Sequence, residues 1–536
     1  MNQIEIKKRR VEFGSFVLEM VVLLVLGEFL GDNGVVYIAF ALESFMLFWT
    51  LAGDGMADAL GRLLRGRSAR RQYKNAARLR KNALIFAALL GLAGSVALFA
   101  CAGLLSEGLF QIPYSTAILR WLAPVIFLRA LTSVLLGYFQ GEGTELPAVI
   151  SYVARPVCVL GFSLLFIKIL GDNGQKVSAL LRQENFTAMY GGMGVALAVL
   201  VSEVLVLLFL FLVYRGSRGT ERKGGGDGMR VVDSFGGQIR MLYGNLLPQT
   251  GMALLQQLPI WLGMYFFRNS VLKSGSMDAG LNDYGVLYGK YLPLIGIMLF
   301  PACALLIGNC YKTADCVRRD EQRYARGNFS GGLHLGVVYG MFFSVFTAIL
   351  APQLAGTFCE SSVKLATQLL RFGSIMILFA VTGFYLSEVL IFLGGKFQVL
   401  GALALYNLVF VICLLIFLNS GKMGVIGLVY AGAVAGGVYV AATGGLLFYQ
   451  THLNVDWLQV AAIPVGGACV VGLMLFFVSR LFTPLGNAMT ALLSLALGLA
   501  VYLLLLLLLR NFREQELNYI PFGGLLRSLG ETFRIY

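Results

Sequence analysis

Residues 119–170 read LRWLAPVIFLRALTSVLLGYFQGEGTELPAVISYVARPVCVLGFSLLFIKIL, two apolar runs about a short polar turn at 137–147, GYFQGEGTELP. A hydrocarbon core takes about 20 residues of helix, and each run supplies them. Each run also carries one arginine, Arg129 before the turn and Arg155 after it. Counted from the turn, both lie roughly eight to ten residues deep, or about 12–15 Å at 1.5 Å per residue. Helices joined by so short a turn are neighbours, so the two cations sit at similar depth. An arginine there costs about 2.5–3.5 kcal/mol on insertion scales, so it faces a partner or a watery cavity.

Composition agrees with a membrane setting. The 536 residues are 58% hydrophobic and 13% charged, with mean hydropathy +0.78. Soluble domains carry about 25% charged residues. Apolar runs near 20 residues recur along the chain, which excludes a soluble α/β fold and suits 12 to 14 spans. The start, Lys7-Lys8-Arg9-Arg10 before an apolar run, is interrupted by Glu19 and Glu28 and reads as an uncleaved first span. The eight cysteines mostly lie within apolar segments and form no C-x-x-C, so they read as small core residues. His334 and His452 are isolated and give no metal site. No Walker loop, metal cluster or nucleophile–base pair stands out, so the chain reads as a transporter rather than an enzyme.

The net charge of +14 does not point to nucleic acid, because the basic residues cluster in short loops. Segments 62–81, 215–240 and 311–326, with both termini and the Lys396 turn, hold about 29 of the 42 Lys and Arg. That side is expected to be the cytoplasm, with both termini on it, since fourteen predicted spans are an even number. The stretch from Leu119 is echoed by LRFGSIMILFAVTGFYLSEVLIFLGG from Leu370, and Arg70-Arg71 by Arg318-Arg319, both at an offset near 250. The predicted organisation is a six-helix lobe over 1–215 and a Gly-rich charged linker over 216–239. A second six-helix lobe covers 240–450, two added helices 451–509, and a cytoplasmic tail 510–536. Six helices per repeat is even, so both lobes face the same way, with the substrate site expected between them.

The turn GYFQGEGTELP, with an arginine-bearing helix before it and S…R-P after it, resembles a hairpin of the flippases for polysaccharides and lipid-linked oligosaccharides. These belong to the multidrug/oligosaccharidyl-lipid/polysaccharide exporter superfamily, and the likeness is to its stage V sporulation protein B and lipid II flippase branch. The resemblance implies about 14 transmembrane helices, alternating access, and a lipid-linked saccharide as substrate in a bacterial cytoplasmic membrane. It implies no cofactor, with H⁺ or Na⁺ as the candidate coupling ion. Membrane lipid and envelope-synthesis enzymes are the expected partners of a monomer. Lipid II flippases carry arginines in their first two helices. Here those helices hold Glu19, Glu28, Glu43 and Asp54, which favours another lipid-linked glycan.

Polar residues inside the spans supply the candidate site. Arg129, Arg155 and Lys290 suit compensation of a diphosphate head group. Glu43 and Asp54 are eleven apart, about three helical turns, so they share a face of span 36–61, with Asp58 at i+4. With Glu19 and mid-span Glu203 they are the ion-coupling candidates, or partners for the arginines. Asp54 and Asp58 equally suit a solvated, capping role near the span end. Asn245, Gln249, Met252 and Gln256 form one face of span seven beside Pro248, where a kink is expected. Amides there suit sugar hydroxyls, Na⁺, or hydrogen bonds between helices. Tyr284, Tyr288 and Tyr291 stripe span eight, as a sugar-stacking wall with Lys290 or as an interfacial belt with a snorkelling lysine. Two other functions stay open, a cation-coupled antiporter of drugs or metabolites and a membrane scaffold.

Overall fold

The computed structural model describes residues 3–183, 185–221, 233–274, 277–358, 362–419, 423–453, 455–512, 523–524 and 527–528. The expected linker core and most of the C-terminal tail lie outside these residues. Every regular element among the described residues is helical. The long helices are α1 (Gln3–Gly53), α3 (Tyr73–Gly103), α4 (Ser115–Glu142), α5 (Leu146–Leu181), α6 (Asn185–Glu221) and α7 (Phe235–Ser274). They continue with α9 (Leu292–Arg318), α10 (Gln322–Ile349), α13 (Ile375–Leu393), α14 (Lys396–Asn419), α15 (Gly424–Thr451), α16 (Ile463–Phe482) and α17 (Asn487–Leu508). Shorter α2 (Met56–Ala69), α8 (Met277–Val286), α11 (Ala351–Phe358) and α12 (Val363–Gly373) complete the set.

Among the described residues, twelve segments are long and apolar enough to cross a membrane. The first, Ile6–Ala69, has 64 residues, about 96 Å of helix and enough for two crossings. It is broken at Gly31, whose φ of 68° and ψ of 167° are not helical. Helix α7 is long enough to cross but carries Asn245, Gln249, Gln256 and Gln257, which dilute its hydropathy. Counting both, about fourteen helices span, as the sequence predicts.

The chain forms two compact units, residues 25–285, and residues 1–24 with 286–536. The start of α1 therefore belongs with the second half of the chain, and α7 with the first. The unit boundaries fall at 24/25 and 285/286 rather than at the expected linker. Polar contacts hold both transfers. Arg9 on α1 pairs with Glu388 on α13 at 3.4 Å. Near the start of α7, Gln238 accepts from Asn82 of α3 at 2.7 Å, and Asp233 pairs with the buried Arg67 of α2.

In the 25–285 unit, α4 packs against α2, α3 and α6, and α5 lies along α6. The family-like turn shows why. Helix α4 continues to Glu142, so the turn is shorter than 137–147. Gly137 and Gly141 are one helical turn apart and lie against α2. A side chain at Gly137 would meet the Ala57 carbonyl oxygen at 2.9 Å, and one at Gly141 would meet Leu64 Cβ at 2.6 Å. This is close helix packing through small residues. Gly143 then ends the helix in the left-handed region, at φ 78°. The three glycines of GYFQGEG thus seat a helix and stop it.

The repeat is visible in the caps. Thr144 N–H donates to the Phe139 carbonyl after α4, and Gly395 N–H to the Leu390 carbonyl after α13. Gly143 and Gly394 are both left-handed there. Gln72 N–H donates to Arg67 O and Glu321 N–H to Cys316 O, each at 3.0 Å. Arg71 and Asp320 occupy the left-handed position, at φ 56° and 59°. The offsets, 251 and 249, match the sequence echo.

In the other unit α9, α10 and α13 pack mutually, α15 packs on α13 and α14, and the α16–α17 pair meets α10. Its buried polar centre is Tyr385, whose hydroxyl donates to Asn309 Oδ1 at 3.0 Å and lies 3.3 Å from Thr313 Oγ1.

Candidate functional site

The arginine pair is where the turn places it, at one depth. Arg129 on α4 and Arg155 on α5 both reach Glu203 on α6. Arg129 Nε lies 3.3 Å from Glu203 Oε2. Arg155 donates through Nε to Oε2 at 3.1 Å and through Nη2 to Oε1 at 3.3 Å. Glu203 is 1% exposed and each arginine side chain 17%. Of the two expectations, a partner or a watery cavity, the structure shows a partner: both cations are held on one carboxylate. The reason is geometric. Helix α6 packs along α5 and against α4, which brings position 203 between them. Two guanidinium groups share this carboxylate, which can balance only one of them. Arg129 is also placed 5.1 Å from the Phe45 ring centroid and 3.8 Å from Met46 Sδ. Asp54 lies within electrostatic reach of Arg129.

Asp54 does not sit mid-helix. Helix α1 ends at Gly53, with φ 155°, and α2 starts after a left-handed Gly55 at φ 83°. Asp54 lies in that break, so the continuous stripe Glu43–Asp54–Asp58 is corrected. The signal was Gly53-Asp54-Gly55, two residues able to leave the helical region around an acid. Gln249 of α7 faces the break. Its Oε1 would lie 3.1 Å from a side chain at Gly55, and it is buried with no hydrogen-bond partner. One turn before the break, Thr50 donates to Gln257 Oε1 at 3.1 Å. The rest of the amide face disperses. Asn245 donates to its own helix, at Met241 O (2.9 Å), and Gln256 is exposed. The expected kink at Pro248 does not interrupt α7, which runs unbroken past it.

Lys290 and Tyr288 belong to the other unit. Both are buried, at 5% and 7% exposure, within a wide-wound turn at Leu287–Tyr291. Lys290 Nζ donates to the Phe358 carbonyl at 2.9 Å, at the C-terminal end of α11. That contact caps a helix end with a cation. Tyr291 donates to Gly373 O at 3.2 Å. The tyrosine stripe is thus protein-packed, neither an open wall nor a wet belt. Glu19 lies with residues 1–24 and Glu43 in the 25–285 unit, and both are half-buried. Sequence reasoning missed Arg268, which is 2% exposed. It donates to the carbonyls of Phe110 (3.1 Å) and Gln111 (3.0 Å), where Gln111 turns the chain at φ 53°. It lies just beyond the predicted end of span seven, where a cation reads as a loop residue.

Helices long and apolar enough to span, with charged and amide side chains buried among them, are the build of a polytopic membrane protein. No protein-family model matches the chain. Among curated proteins, stage V sporulation protein B of Bacillus subtilis (strain 168) is 22% identical over 528 residues, 93% of each chain. An uncharacterized membrane protein, YabM, of the same organism is 24% identical over 84% of this chain and 82% of its own. Among solved structures, the lipid II flippase MurJ in an inward closed conformation superposes with a TM-score of 0.63 at 14% identity. It covers 93% of this chain and 98% of that one. An inward-facing multidrug transporter of the same superfamily gives 0.61 at 16% identity, over 82% and 95%. The chain is a multi-pass membrane protein that shares the fold of these transporters.

Proposed function

We propose that this chain is an alternating-access flippase for an undecaprenyl-diphosphate-linked saccharide of the cell envelope. The observation that carries this reading is the Arg129–Glu203–Arg155 triad. A diphosphate head cannot cross hydrocarbon alone. Two guanidinium groups converging on one carboxylate define an anion position, and a phosphate oxygen suits the same donors. Glu203 then holds the cations in place until the head group competes for them. A cationic drug gains nothing from such a site.

The fold likeness supports the same side of the superfamily. The match to the flippase leaves fewer residues of this chain uncovered than α16 and α17 hold between them, so it includes at least part of that C-terminal pair. The basic loops support a cytoplasmic-membrane location with both termini inside. Asp54 and Gln249, at the helix break, are the first candidates for coupling to H⁺ or Na⁺, with Glu43 and Glu19 behind them.

The test is flipping of a fluorescent undecaprenyl-diphosphate saccharide by the full chain in proteoliposomes. Arg129→Gln with Arg155→Gln is expected to abolish it, and adding Glu203→Gln, which removes the stranded carboxylate, restores insertion and elution as wild type without restoring flipping. Cationic-dye efflux that depends on Glu19 or Glu43, with flipping intact in the double variant, would establish the antiporter instead.

A further inference from the structure

The turn joining α2 to α3 and the turn joining α9 to α10 share one backbone, as their caps show. The first follows the second predicted span and the second follows the eighth. An even number of crossings lies between, so both face the same side of the membrane. Their charges do not match. Residues 62–81 hold nine Lys and Arg with no acid. Residues 311–326 hold five, with Asp315, Asp320 and Glu321 among them.

Sidedness does not require this difference. The topology rule counts basic residues, and Asp and Glu contribute little to it. Packing within the 25–285 unit uses some of the nine. Arg67 pairs with Asp233, and Arg80 lies over the rings of Tyr138 and Tyr214 at 4.9 and 5.3 Å. Six others, Arg62, Arg70, Arg71, Lys74, Arg78 and Lys81, are exposed. Tyr73 stands among them, 48% exposed. At the second turn Arg319 is held by Asp315 at 2.8 Å.

We infer that the α2–α3 turn is a docking surface for the anionic phospholipid head groups of the leaflet it faces. It joins two spans, so it is held at that surface. Guanidinium groups meet phosphate oxygens in pairs, and tyrosine settles at the head-group level. A cluster of four to eight cations beside a span is what anionic lipid binds. The inference rests on the spans and the repeat, and not on the identity of the transported molecule.

The pseudo-symmetric turn supplies the control. The full chain, purified from mixed micelles of phosphatidylglycerol and phosphatidylcholine, is read by native mass spectrometry for retained lipid. Wild type retains phosphatidylglycerol in preference, and the preference fades at high salt. Arg70→Gln, Arg71→Gln and Arg78→Gln together lower phosphatidylglycerol affinity by about 100-fold at low salt. Arg319→Gln, Arg323→Gln and Arg326→Gln together leave it within about threefold of wild type, because acids already offset that turn. Arg62→Gln with Lys81→Gln, which leaves the turn itself intact, weakens retention in the same direction. Equal losses from the two triple variants would overturn the inference, as would a preference that ignores salt or ignores Arg62 and Lys81.

Discussion

Glu203→Gln is the sharpest test of the triad. The change keeps an acceptor oxygen between Arg129 and Arg155 but removes the only charge both arginines share in that contact. Glu203 is 1% exposed and the arginines 17%, so water does little to replace it. Breaking a buried pair by removing one partner costs about 3–5 kcal/mol. Repulsion alone, for two cations about 6 Å apart at an effective dielectric near 20, gives about 3 kcal/mol. The residual amide hydrogen bonds argue for the lower end, so we expect about 3 kcal/mol. At about 2–4 °C per kcal/mol for units of this size, the melting temperature falls by roughly 6–12 °C. The assay is thermal unfolding of the detergent-purified chain, followed by size-exclusion recovery. Adding Arg155→Gln to Glu203→Gln removes the repulsion between the two cations and recovers more than half the loss, a coupling that independent sites do not show. Arg155→Gln alone is milder, since Arg129 then has Glu203 to itself. A single variant melting within about 2 °C of wild type, or a double variant no better than Glu203→Gln, would refute the reasoning.

Other contacts make separate predictions, all readable by the same melts. Lys290→Met removes the donor at the end of α11 and is expected to cost about 1–3 kcal/mol, with flipping in proteoliposomes unchanged, since the lysine holds protein rather than substrate. Arg268→Met strands the buried Phe110 carbonyl and loses the partly buried contact to the Gln111 carbonyl, and should cost about 1–3 kcal/mol. Gly137→Ala pushes α4 off the Ala57 carbonyl of α2 and should cost about 1–3 kcal/mol; an unchanged melting temperature would mean that the two helices do not pack there.

The helical fold, the hairpin and the repeat were legible because each rests on a periodic or local signal. Apolar runs of span length, a Gly-rich turn and an echo at a fixed offset need no knowledge of distant contacts. The equal depth of Arg129 and Arg155 followed from counting along two helices. Glu203 is one of several acids the sequence offers as their partner, and the packing of α6 selects it, because periodicity does not fix the rotation of one helix against another. The break at Gly53-Asp54-Gly55 was passed over because apolar residues continue on both sides of it, although the two glycines marked it. Lys290 and Tyr288 misled for a related reason. A lysine among tyrosines at a span end reads as interface, and only the end of α11, some 68 residues away, shows it buried. The grouping of α7 with the first half had no signal in composition, because a Gly-rich charged stretch marks a linker without saying which helix follows which unit.

The repeat also shows where the two copies differ in buried charge. At the 251 offset set by Gly143 and Gly394, Arg129 corresponds to Ala380 and Arg155 to Tyr406. Tyr406 stacks on Phe410, with centroids 6.3 Å apart, and meets Tyr439 edge-on at 6.2 Å. The position that carries a guanidinium in one unit thus carries an aromatic cluster in the other, on helices ended by the same kind of cap. The caps and glycines specify backbone, and they survive in both copies. The buried charges do not follow from that backbone, since one copy folds without them at these positions. Cations that cost several kcal/mol to bury, and that the shared backbone does not call for, agree with the anion site proposed above.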